Sequence, residues 1–582
     1  MPSLFSSLVL PSMLFWWQVV AGLSSLSEIC NSTFITDALP VDAYTGIEID
    51  KTSLIVNQLD NFTVNSGGAY NICNITFSYT HVGRDDTFQV NYWLPDPAAF
   101  RNRFLATGGG ALMINGGASG PSDGPVYGAV SGRTDGGFGS FFTEYDTDGV
   151  DLLANGTLNY DTLFSFGYLA IHEMSVLGKA LTRSAMQMDA TAKLYSYYEG
   201  CSEGGREGWS QIQKFGGEWD GAAIGAPALR YSFQQVNHLF SGVAMQTLGY
   251  TPMPCELDTI VNATIAACDA FDGRIDGVVS RTDLCKLHFD MSSIIGTAFY
   301  CEAEPSYAGG PEGSPHGAEP AQNGTVSAEA IAVARTILDG LHDLSGKRVY
   351  LSYQPSATFA DATPQYNDTI DAWAPPVDGV GGLFVARLLQ QLELSALPTI
   401  EGVTYDTLRD WMVLGYQMFQ DTLQVNWPDL TDFYANGGKI VHYHGESDNS
   451  IPPASSVRYW DSVRKIMYPG MSLHQSAEAL GEWYRLYLVP GAGHCSSNTL
   501  QPDGPYPDAP LAAVIAWVED GIKPVMLNAT ATSGAYAGEQ PLCAFPLRPL
   551  FVDDGETMIC EYDPDSLDTW FFDFDSILMP VY

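Results

Sequence analysis

Short apolar runs alternate with an amphipathic segment along this chain, and the alternation predicts buried strands joined by helices. The runs that we interpret as strands are 88–94, 103–106, 168–171, 192–198, 221–228, 439–443 and 485–489. In contrast, Trp209, Ile212 and Phe215 recur at helical spacing among polar residues. Strands and helices in this order predict an α/β fold, in which a mainly parallel sheet is covered by helices on both faces.

Two stretches depart from this pattern and set the expected domain boundaries. Residues 30–78 are polar and turn-rich, which predicts an irregular N-terminal layer. Helices, cysteines and loops dominate 231–419, including a Gly-, Pro- and Ala-rich stretch at 309–324. We therefore expect a catalytic domain built from residues 22–230 and 420–582, with residues 231–419 inserted between its two segments as a lid domain.

Charge and the N-terminal segment narrow the choice of partners and compartment. The 582 residues include 67 Asp and Glu but only 26 Lys and Arg, and the net charge of −41 argues against nucleic acid and anionic membranes as partners. Residues 4–23 are mostly apolar, so we expect a signal peptide over residues 1–21. An uncleaved membrane anchor is the alternative, although Pro11 and several serines interrupt the run. No other apolar run is long enough to span a bilayer.

Cysteines and glycosylation sequons agree with export. The chain has ten cysteines, an even number, which in a secreted protein predicts disulfide bonds. Eight Asn-x-Ser/Thr sequons are candidate glycosylation sites: Asn31, Asn61, Asn74, Asn155, Asn262, Asn323, Asn367 and Asn528. These features predict a secreted, extracellular protein with no membrane association after signal cleavage.

The candidate chemistry starts at a Gly-x-Ser-x-Gly turn between a predicted strand and a predicted helix. Gly200 and Gly204 flank Ser202 in this turn. A serine on such a sharp turn has an exposed hydroxyl, and the following helix adds backbone N–H groups beside it. An incidental serine in a glycine-rich turn is the alternative. The strand before the turn and the helix after it favour a nucleophile.

Two later strands end in residues that complete a catalytic triad. Asp448 follows the strand at 439–443, and His494 follows the strand at 485–489. In open α/β sheets catalytic groups gather at the carboxyl ends of strands, and the order Ser202, Asp448, His494 is that of α/β-hydrolases. His494 would accept the serine proton, and Asp448 would orient the imidazole. The sequence leaves three rivals: Glu446 as the acid, and His442 or His444 as the base.

Two further motifs have a chemical interpretation. The glycine cluster at 108–110 directly follows a strand; it lacks the pattern of a nucleotide-binding loop, and in a serine hydrolase such a loop supplies N–H groups to an oxyanion hole. Residues 269–278 carry Asp269, Asp272 and Asp276 around two glycines, a spacing that suits a hard cation with oxygen ligands. The EF-hand pattern does not fit, and acidic turn residues without a metal are the alternative.

Three motifs together resemble the fungal tannase and feruloyl esterase family. They are Gly-Cys-Ser-x-Gly-Gly around Ser202, His-Gly-x-x-Asp ending at Asp448, and Gly-x-Gly-His-Cys around His494, and the resemblance runs from about Cys30 to Tyr582. It implies the α/β-hydrolase fold with a lid, and the triad roles given above. It also implies an oxyanion hole made by the N–H of Glu203 and that of Gly109 or Gly110, and no organic cofactor.

The resemblance further implies a structural calcium ion and a set of disulfides. Carried over, the calcium ligands are the side chains of Asp269, Asp272 and Asp276 and the carbonyls of Arg274 and Val278. Cys268 and Cys285 bracket this loop, Cys543 and Cys560 bracket a C-terminal segment, and Cys30 with Cys73 would hold the N-terminal layer. A working triad would bring Cys201 and Cys495 into range. The family makes the same pairing, which leaves Cys255 with Cys301.

The functional expectation is a secreted serine esterase that cleaves phenolic acid esters, either small molecules or esters linked to polysaccharide. The galloyl (tannase) branch is favoured, with feruloyl esterase as the alternative. A catalytically silent binding protein that keeps the fold is a further alternative, and amidase or peptidase chemistry is a weaker one.

Overall fold

The computed structural model describes residues 25–64, 67–116, 123–139, 141, 151–305 and 317–582. The expected signal peptide therefore lies outside the described residues. The strands are β1 (Ile47–Thr63), β2 (Ala69–His81), β3 (Phe88–Pro95), β4 (Arg103–Thr107), β5 (Ala129–Thr134), β6 (Tyr195–Cys201), β7 (Gly221–Gly225), β8 (Ala298–Cys301), β9 (Gln322–Thr325), β10 (Gln365–Asn367), β11 (Ala372–Ala374), β12 (Lys439–Gly445), β13 (Tyr484–Val489), β14 (Tyr506–Pro507), β15 (Met526–Leu527), β16 (Ala529–Ala531), β17 (Gly538–Glu539), β18 (Leu542–Cys543), β19 (Arg548–Val552) and β20 (Thr557–Glu561).

Helices cover the sheet and fill the segment between β7 and β12. They are α1 (Leu26–Ile29), α2 (Ser32–Ala38), α3 (Tyr160–Phe164), α4 (Ala170–Ala185), α5 (Glu203–Phe215), α6 (Tyr231–Asn237), α7 (Phe240–Leu248), α8 (Pro254–Cys268), α9 (Thr282–His288), α10 (Ala328–Asp339), α11 (Gly379–Leu383), α12 (Tyr405–Met418), α13 (Thr431–Ala435), α14 (Ala454–Met467), α15 (Leu473–Leu480), α16 (Pro510–Asp520) and α17 (Pro564–Leu567). Within the described residues, none of these helices has the length and apolar character needed to cross a bilayer.

One nine-stranded sheet organises the molecule, in the order β1-β2-β3-β5-β4-β6-β7-β12-β13. The five pairs from β5–β4 to β12–β13 are parallel, and the three pairs among β1, β2, β3 and β5 are antiparallel. The α/β prediction is therefore confirmed, with a parallel half that holds the candidate catalytic residues. The carboxyl ends of β4, β6, β12 and β13 consequently meet at one edge of the sheet.

The parallel strands are buried on both faces. Tyr198 and Ile440 belong to one apolar cluster, and their chain neighbours Tyr197 and Val441 belong to a second cluster across the sheet. Side chains alternate between faces along a strand, so both clusters are built from the same strands. Helix α5 packs on the first face and α16 on the second, which is why these strands are nearly continuous apolar runs.

Two sequence interpretations were wrong. The described part of 30–78 contains helix α2, strand β1 and most of strand β2, which pairs antiparallel with β1, rather than an irregular layer. The run at 168–171 lies in a π-helical turn that leads into α4, and it is not a strand. A four-residue apolar run fits either a strand or a helix. Here Ala170 and Ile171 are buried in α4, which packs against β5 and β4, and the first two residues of the run are half-buried.

The segment between β7 and β12 adds no strand to the main sheet within its described residues. This is consistent with an inserted lid, whose exact boundaries at 231 and 419 remain a prediction. The C-terminal elements β19 and β20 and the residue before α17 contact this segment through ion pairs of the buried arginines Arg548 and Arg281. Arg548 Nε lies 3.4 Å from Asp283 Oδ2, Arg281 Nε lies 3.0 Å from Asp283 Oδ1, and Arg281 Nη2 lies 2.7 Å from Asp563 Oδ2.

All ten cysteines are paired. The bridges are Cys30–Cys73, Cys201–Cys495, Cys255–Cys301, Cys268–Cys285 and Cys543–Cys560, the same five pairs as expected from the sequence and its family resemblance.

Seven of the eight sequon asparagines are exposed, and Asn74 is half-buried. Its Oδ1 accepts a hydrogen bond of 2.6 Å from Asn91 Nδ2. Glycosylation of the eight remains a prediction, and Asn74 is its weakest member.

Candidate active site

Ser202 occupies a strained turn between β6 and α5. Its backbone has φ 63° and ψ −122°, in a region that residues with a Cβ seldom adopt. A Cβ on Gly200 would lie 2.6 Å from the carbonyl oxygen of Gly204, and one on Gly204 would lie 2.7 Å from that of Gly109. Both glycines are therefore required by close approach of the backbone, and the turn presents the serine at the carboxyl edge of the sheet.

The three predicted catalytic side chains form one hydrogen-bonded row. His494 Nε2 lies 2.8 Å from Ser202 Oγ, and His494 Nδ1 lies 2.8 Å from Asp448 Oδ2. The backbone N–H groups of Ser450 and Ile451 each donate to Asp448 Oδ1 at 2.9 Å. This is the geometry in which a histidine takes the serine proton while an acid fixes its tautomer.

Electrostatics support these protonation states. Burial opposes ionisation of Asp448, but the charge of His494 and the hydrogen bonds from His444 and His494 outweigh it and lower its pKa. Burial alone lowers the pKa of His494, whereas the charge and hydrogen bond of Asp448 raise it above the usual value of histidine. Asp448 is consequently a carboxylate, and His494 is a stronger base than a free imidazole.

The three rival residues have other partners. Glu446 is fully buried and accepts two hydrogen bonds from Arg548 Nη2, at 2.7 and 2.9 Å. His442 and His444 are also fully buried, and both contact Ser456 behind the triad. Asp448 and His494 are thus the acid and the imidazole that the fold brings to Ser202.

The glycine turn after β4 lies against the start of α5. The Gly109 N–H donates to Glu207 Oε2 at 2.8 Å, and its carbonyl accepts from the Gly204 N–H at 2.9 Å. Gly110 follows in the turn and lines the same cavity as Ser202. Glu203 is the first residue of α5, so its N–H has no acceptor within the helix. Of the two glycines predicted for an oxyanion hole, Gly109 therefore already donates its N–H to the carboxyl group of Glu207. Burial raises the pKa of that carboxyl well above its usual value.

The Cys201–Cys495 bridge joins the loop of Ser202 directly to the loop of His494. Cys201 precedes Ser202 and Cys495 follows His494, and their sulfur atoms are 2.01 Å apart. The bridge links positions 294 residues apart in the sequence. It consequently ties the serine turn to the histidine loop within one residue of the reacting groups.

A cavity of about 380 Å³ opens over Ser202 and His494. The inserted segment contributes Gln234, Gln235, His238 and Val380 to its wall. His238 Nδ1 lies 3.0 Å from Asp361 Oδ2. These residues were missed from the sequence, because nothing in the helical pattern of α6 distinguishes a side chain that faces a cavity from one in the core.

The amide of Gln235 lacks one of its partners. The residue is only 4% exposed, and its side-chain oxygen Oε1 is buried with no hydrogen-bond partner among the described residues. A buried amide oxygen without a donor is costly unless a ligand supplies one. Gln235 thus combines a place in the cavity wall with a carbonyl oxygen that has no donor among the described residues.

The acidic loop after α8 has features that suit a cation. Asp272 Oδ2 is buried without a hydrogen-bond partner among the described residues. Burial, together with repulsion from Asp276 and Asp269, raises the pKa of Asp272 to about 7, and burial also raises the pKa of Asp276 to about 6. A cation would offset both effects. Within the described part of the chain, however, no three acidic, histidine or cysteine side chains converge as a ready metal site. The expected set also needs the carbonyls of Arg274 and Val278, so calcium binding remains a prediction.

Comparisons with known proteins agree with this geometry. The family described as tannase and feruloyl esterase matches residues 73–562. The tannase of Aspergillus oryzae is 46% identical over 97% of this chain and 97% of its own length. A probable feruloyl esterase of Arthroderma benhamiae is 30% identical over 82% of this chain and 83% of its own. The solved structure of tannin acyl hydrolase from Aspergillus niger superposes with a TM-score of 0.92 at 52% identity, covering 96% of this chain and all of that one. This chain belongs to the tannase and feruloyl esterase family.

Proposed function

We propose that this protein is a secreted serine esterase that hydrolyses galloyl esters. The observation that carries the proposal is the Ser202–His494–Asp448 row at the floor of a cavity, in a chain that is 46% identical to a tannase over nearly its whole length. Five disulfides support passage through an oxidising compartment, and a signal peptide and sequon glycosylation belong to the same proposal.

The reaction proceeds through an acyl-enzyme. His494 Nε2 takes the proton from Ser202 Oγ as the oxygen forms a bond to the ester carbonyl carbon. The tetrahedral intermediate then collapses, the ester C–O bond breaks, and the leaving alcohol receives the proton from His494. A water molecule repeats the same two steps on the acyl group, which frees the acid and restores the serine. Asp448 stabilises the imidazolium that forms twice in each cycle.

The negative oxygen of the tetrahedral intermediate needs donors in place beforehand. The N–H of Glu203 and the N–H of Gly110 are the pair we propose. The engagement of the Gly109 N–H by Glu207 favours Gly110 over Gly109. Glu207 would then hold the glycine turn in position without touching the substrate.

The substrate class follows from the polar wall of the cavity. Gln235 offers a buried acceptor without a protein donor, and Gln234 and His238 lie on the same wall. A galloyl ring carries three hydroxyl groups, whereas a feruloyl ring carries one hydroxyl and one methoxy group and so offers fewer hydrogen-bond donors. Sites that hydrogen-bond a substrate hydroxyl reject analogues that lack it. Feruloyl ester hydrolysis is the second candidate, since a probable feruloyl esterase is 30% identical to the chain.

We further propose a structural calcium ion in the inserted segment. Asp269, Asp272 and Asp276 by side chain, and Arg274 and Val278 by carbonyl, would hold it. The ion would fix the loop that Cys268 and Cys285 close, and it has no part in ester cleavage.

The test compares the wild type with Ser202→Ala on methyl gallate and methyl ferulate. We expect the wild type to prefer methyl gallate at least tenfold in kcat/KM, and Gln235→Met to narrow this ratio. Ser202→Ala should lower kcat on the order of a million-fold while the protein folds normally. A ratio near one or reversed would place the protein with the feruloyl esterases. No turnover of either ester by the wild type would indicate a silent binding protein.

A further inference from the structure

A row of buried side chains continues behind the triad acid. His444 Nε2 lies 3.1 Å from Asp448 Oδ2, the oxygen that also accepts from His494. His444 Nδ1 lies 2.6 Å from Ser456 Oγ, which in turn lies 2.8 Å from His442 Nε2. His442 Nδ1 lies 2.8 Å from the hydroxyl of Tyr484.

Each member of this row is fully buried, with no exposed surface on His442, His444, Ser456 or Tyr484. Water therefore does not satisfy these groups, and each donor needs a protein acceptor. All four lie on β12, β13 and α14, which pack together beneath the loop that carries Asp448. The row is thus part of the rigid core and not of a mobile surface.

Donor and acceptor chemistry gives the row one direction. His444 Nε2 faces only acceptors, namely the Asp448 carboxylate and the carbonyl of Ile451 at 3.0 Å, so this nitrogen carries the proton. In a neutral imidazole, Nδ1 then accepts from the hydroxyl of Ser456. Ser456 in turn accepts from His442 Nε2–H.

The far end of the row fits the same direction. Burial lowers the pKa of His442 well below its usual value, so His442 is neutral and its Nδ1 is an acceptor. Burial raises the pKa of Tyr484 far above its usual value, so the phenol stays protonated and donates a hydrogen bond to His442 Nδ1. Every hydrogen bond in the row consequently points toward Asp448.

We propose that His444 is a positioning residue that donates a hydrogen bond to the triad acid, and that Ser456, His442 and Tyr484 hold it in the donating tautomer. The proposal rests on the proposed esterase function. Asp448 then receives two backbone donors on Oδ1 and two imidazole donors on Oδ2. The His444 donor spreads the carboxylate charge, which limits how strongly Asp448 raises the basicity of His494. The general base is thereby kept neutral, and ready to accept a proton, at a lower pH.

Other charged groups face the same imidazole. Asp361 of the inserted segment raises the pKa of His494, and His238 lowers it. Both contribute less than Asp448, and they lie 3.0 Å apart as partners of each other, His238 Nδ1 to Asp361 Oδ2. A change in His444 should therefore act on His494 only through Asp448.

The test is the pH profile of kcat/KM on methyl gallate for the wild type, His444→Phe, Ser456→Ala and Tyr459→Phe. Tyr459 is the matched control: it is equally buried, packs on the same Trp209 as Tyr484, and lies outside the row. Loss of the donor leaves more charge for His494, so His444→Phe should move the acidic limb upward by about half a pH unit or more. Ser456→Ala should move it in the same direction by less. Tyr459→Phe should lower the melting temperature and leave the limb in place.

If the folded His444→Phe protein has the same acidic midpoint of kcat/KM as the wild type, the proposal is wrong, and the row has only a structural role. A second measurement needs neither a variant nor turnover. Two-bond proton–nitrogen spectra of protein labelled with ¹⁵N-histidine should show His442 and His444 neutral with the proton on Nε2. An imidazolium, or a proton on Nδ1 of His444, would reject the proposal even if the wild type hydrolyses esters. If the wild type hydrolyses none, the proposed function fails and this spectrum still decides the row.

Discussion

Removing the bridge between Cys201 and Cys495 perturbs both stability and catalysis, and the structure separates the two effects. In the double variant Cys201→Ala, Cys495→Ala, the unfolded chain regains the freedom of a 294-residue loop. The chain-entropy relation gives at most about 5–6 kcal/mol for a loop of this length. The smaller Cys255–Cys301 bridge, which itself encloses Cys268–Cys285, lies inside the loop and reduces this value by only about 0.1–0.2 kcal/mol.

The catalytic effect comes from geometry. Proton transfer needs the 2.8 Å approach of Ser202 Oγ and His494 Nε2, and the bridge connects the residues next to both. A displacement of about 1 Å at a reacting centre costs on the order of a hundredfold in rate. We therefore expect kcat on methyl gallate to fall by about tenfold to a hundredfold in protein that is still folded.

The control is the pair Cys543→Ala, Cys560→Ala. This bridge has a sequence separation of 17 and lies among the C-terminal strands. The same relation gives about 3 kcal/mol for it, with no expected change in kcat. Thermal unfolding by circular dichroism sets a temperature at which all proteins are folded, and kcat is measured there. A folded Cys201→Ala, Cys495→Ala protein with wild-type kcat would refute the geometric reasoning, and free thiols at either position in the wild type would refute the bridge itself.

Three further predictions address the surroundings of the site. Glu207→Ala should lower kcat about tenfold or more with little change in KM, because the N–H of Gly109 loses its acceptor. Glu207→Gln keeps an acceptor and should retain most of the activity. Equal kcat in both variants would contradict this role. Chelation should lower the melting temperature more at about pH 8 than at about pH 5. In the metal-free fold the pKa values of Asp272 (about 7) and Asp276 (about 6) are raised, so the folded protein binds more protons than the unfolded chain. The metal-free fold therefore loses stability as the pH rises through these pKa values. Equal losses at both pH values would argue against a cation there. Arg548→Met should cost about 3–5 kcal/mol in urea denaturation by leaving Glu446 buried without its partner, and adding Glu446→Gln should recover part of that loss.

The parallel half of the sheet was predictable because its strands are buried on both faces. The run at 221–228 is apolar throughout, and the run at 485–489 is apolar after Arg485. The glycines around Ser202 fix a turn that few other sequences would tolerate. Strand ends then placed Asp448 and His494 at the same edge. The triad followed from chain order and topology without any knowledge of side-chain positions.

The antiparallel half was not predictable in the same way. Strand β1 is exposed along most of its length, so it has no apolar alternation, and its polar residues resemble a loop. It is a strand because it hydrogen-bonds to β2, and β2 is held in place by its own buried side chains. Strand pairing of this kind is a tertiary effect that local sequence does not carry.

The remaining parts of the site depend on packing between distant segments. Nothing in the sequence near Gln235 reveals a buried oxygen without a donor, since that depends on the inserted segment closing over the sheet. Likewise, Glu446 and His444 were plausible triad members by position alone. Arg548, about a hundred residues later in the chain, and Ser456 decide their roles.

The buried charges that join Arg548 to Asp283 and Glu446, and Arg281 to Asp563, have a consequence for the order of synthesis. The inserted segment and the loop that carries Asp448 leave the ribosome well before their partners at 548 and 563. Until then Glu446 and Asp283 lack an Arg548 counter-charge, and an uncompensated buried carboxylate opposes the packed state. The catalytic edge can therefore reach its final form only after the last strands have emerged. A chain that stops short of Arg548 would fail to mature even though every triad residue is already present.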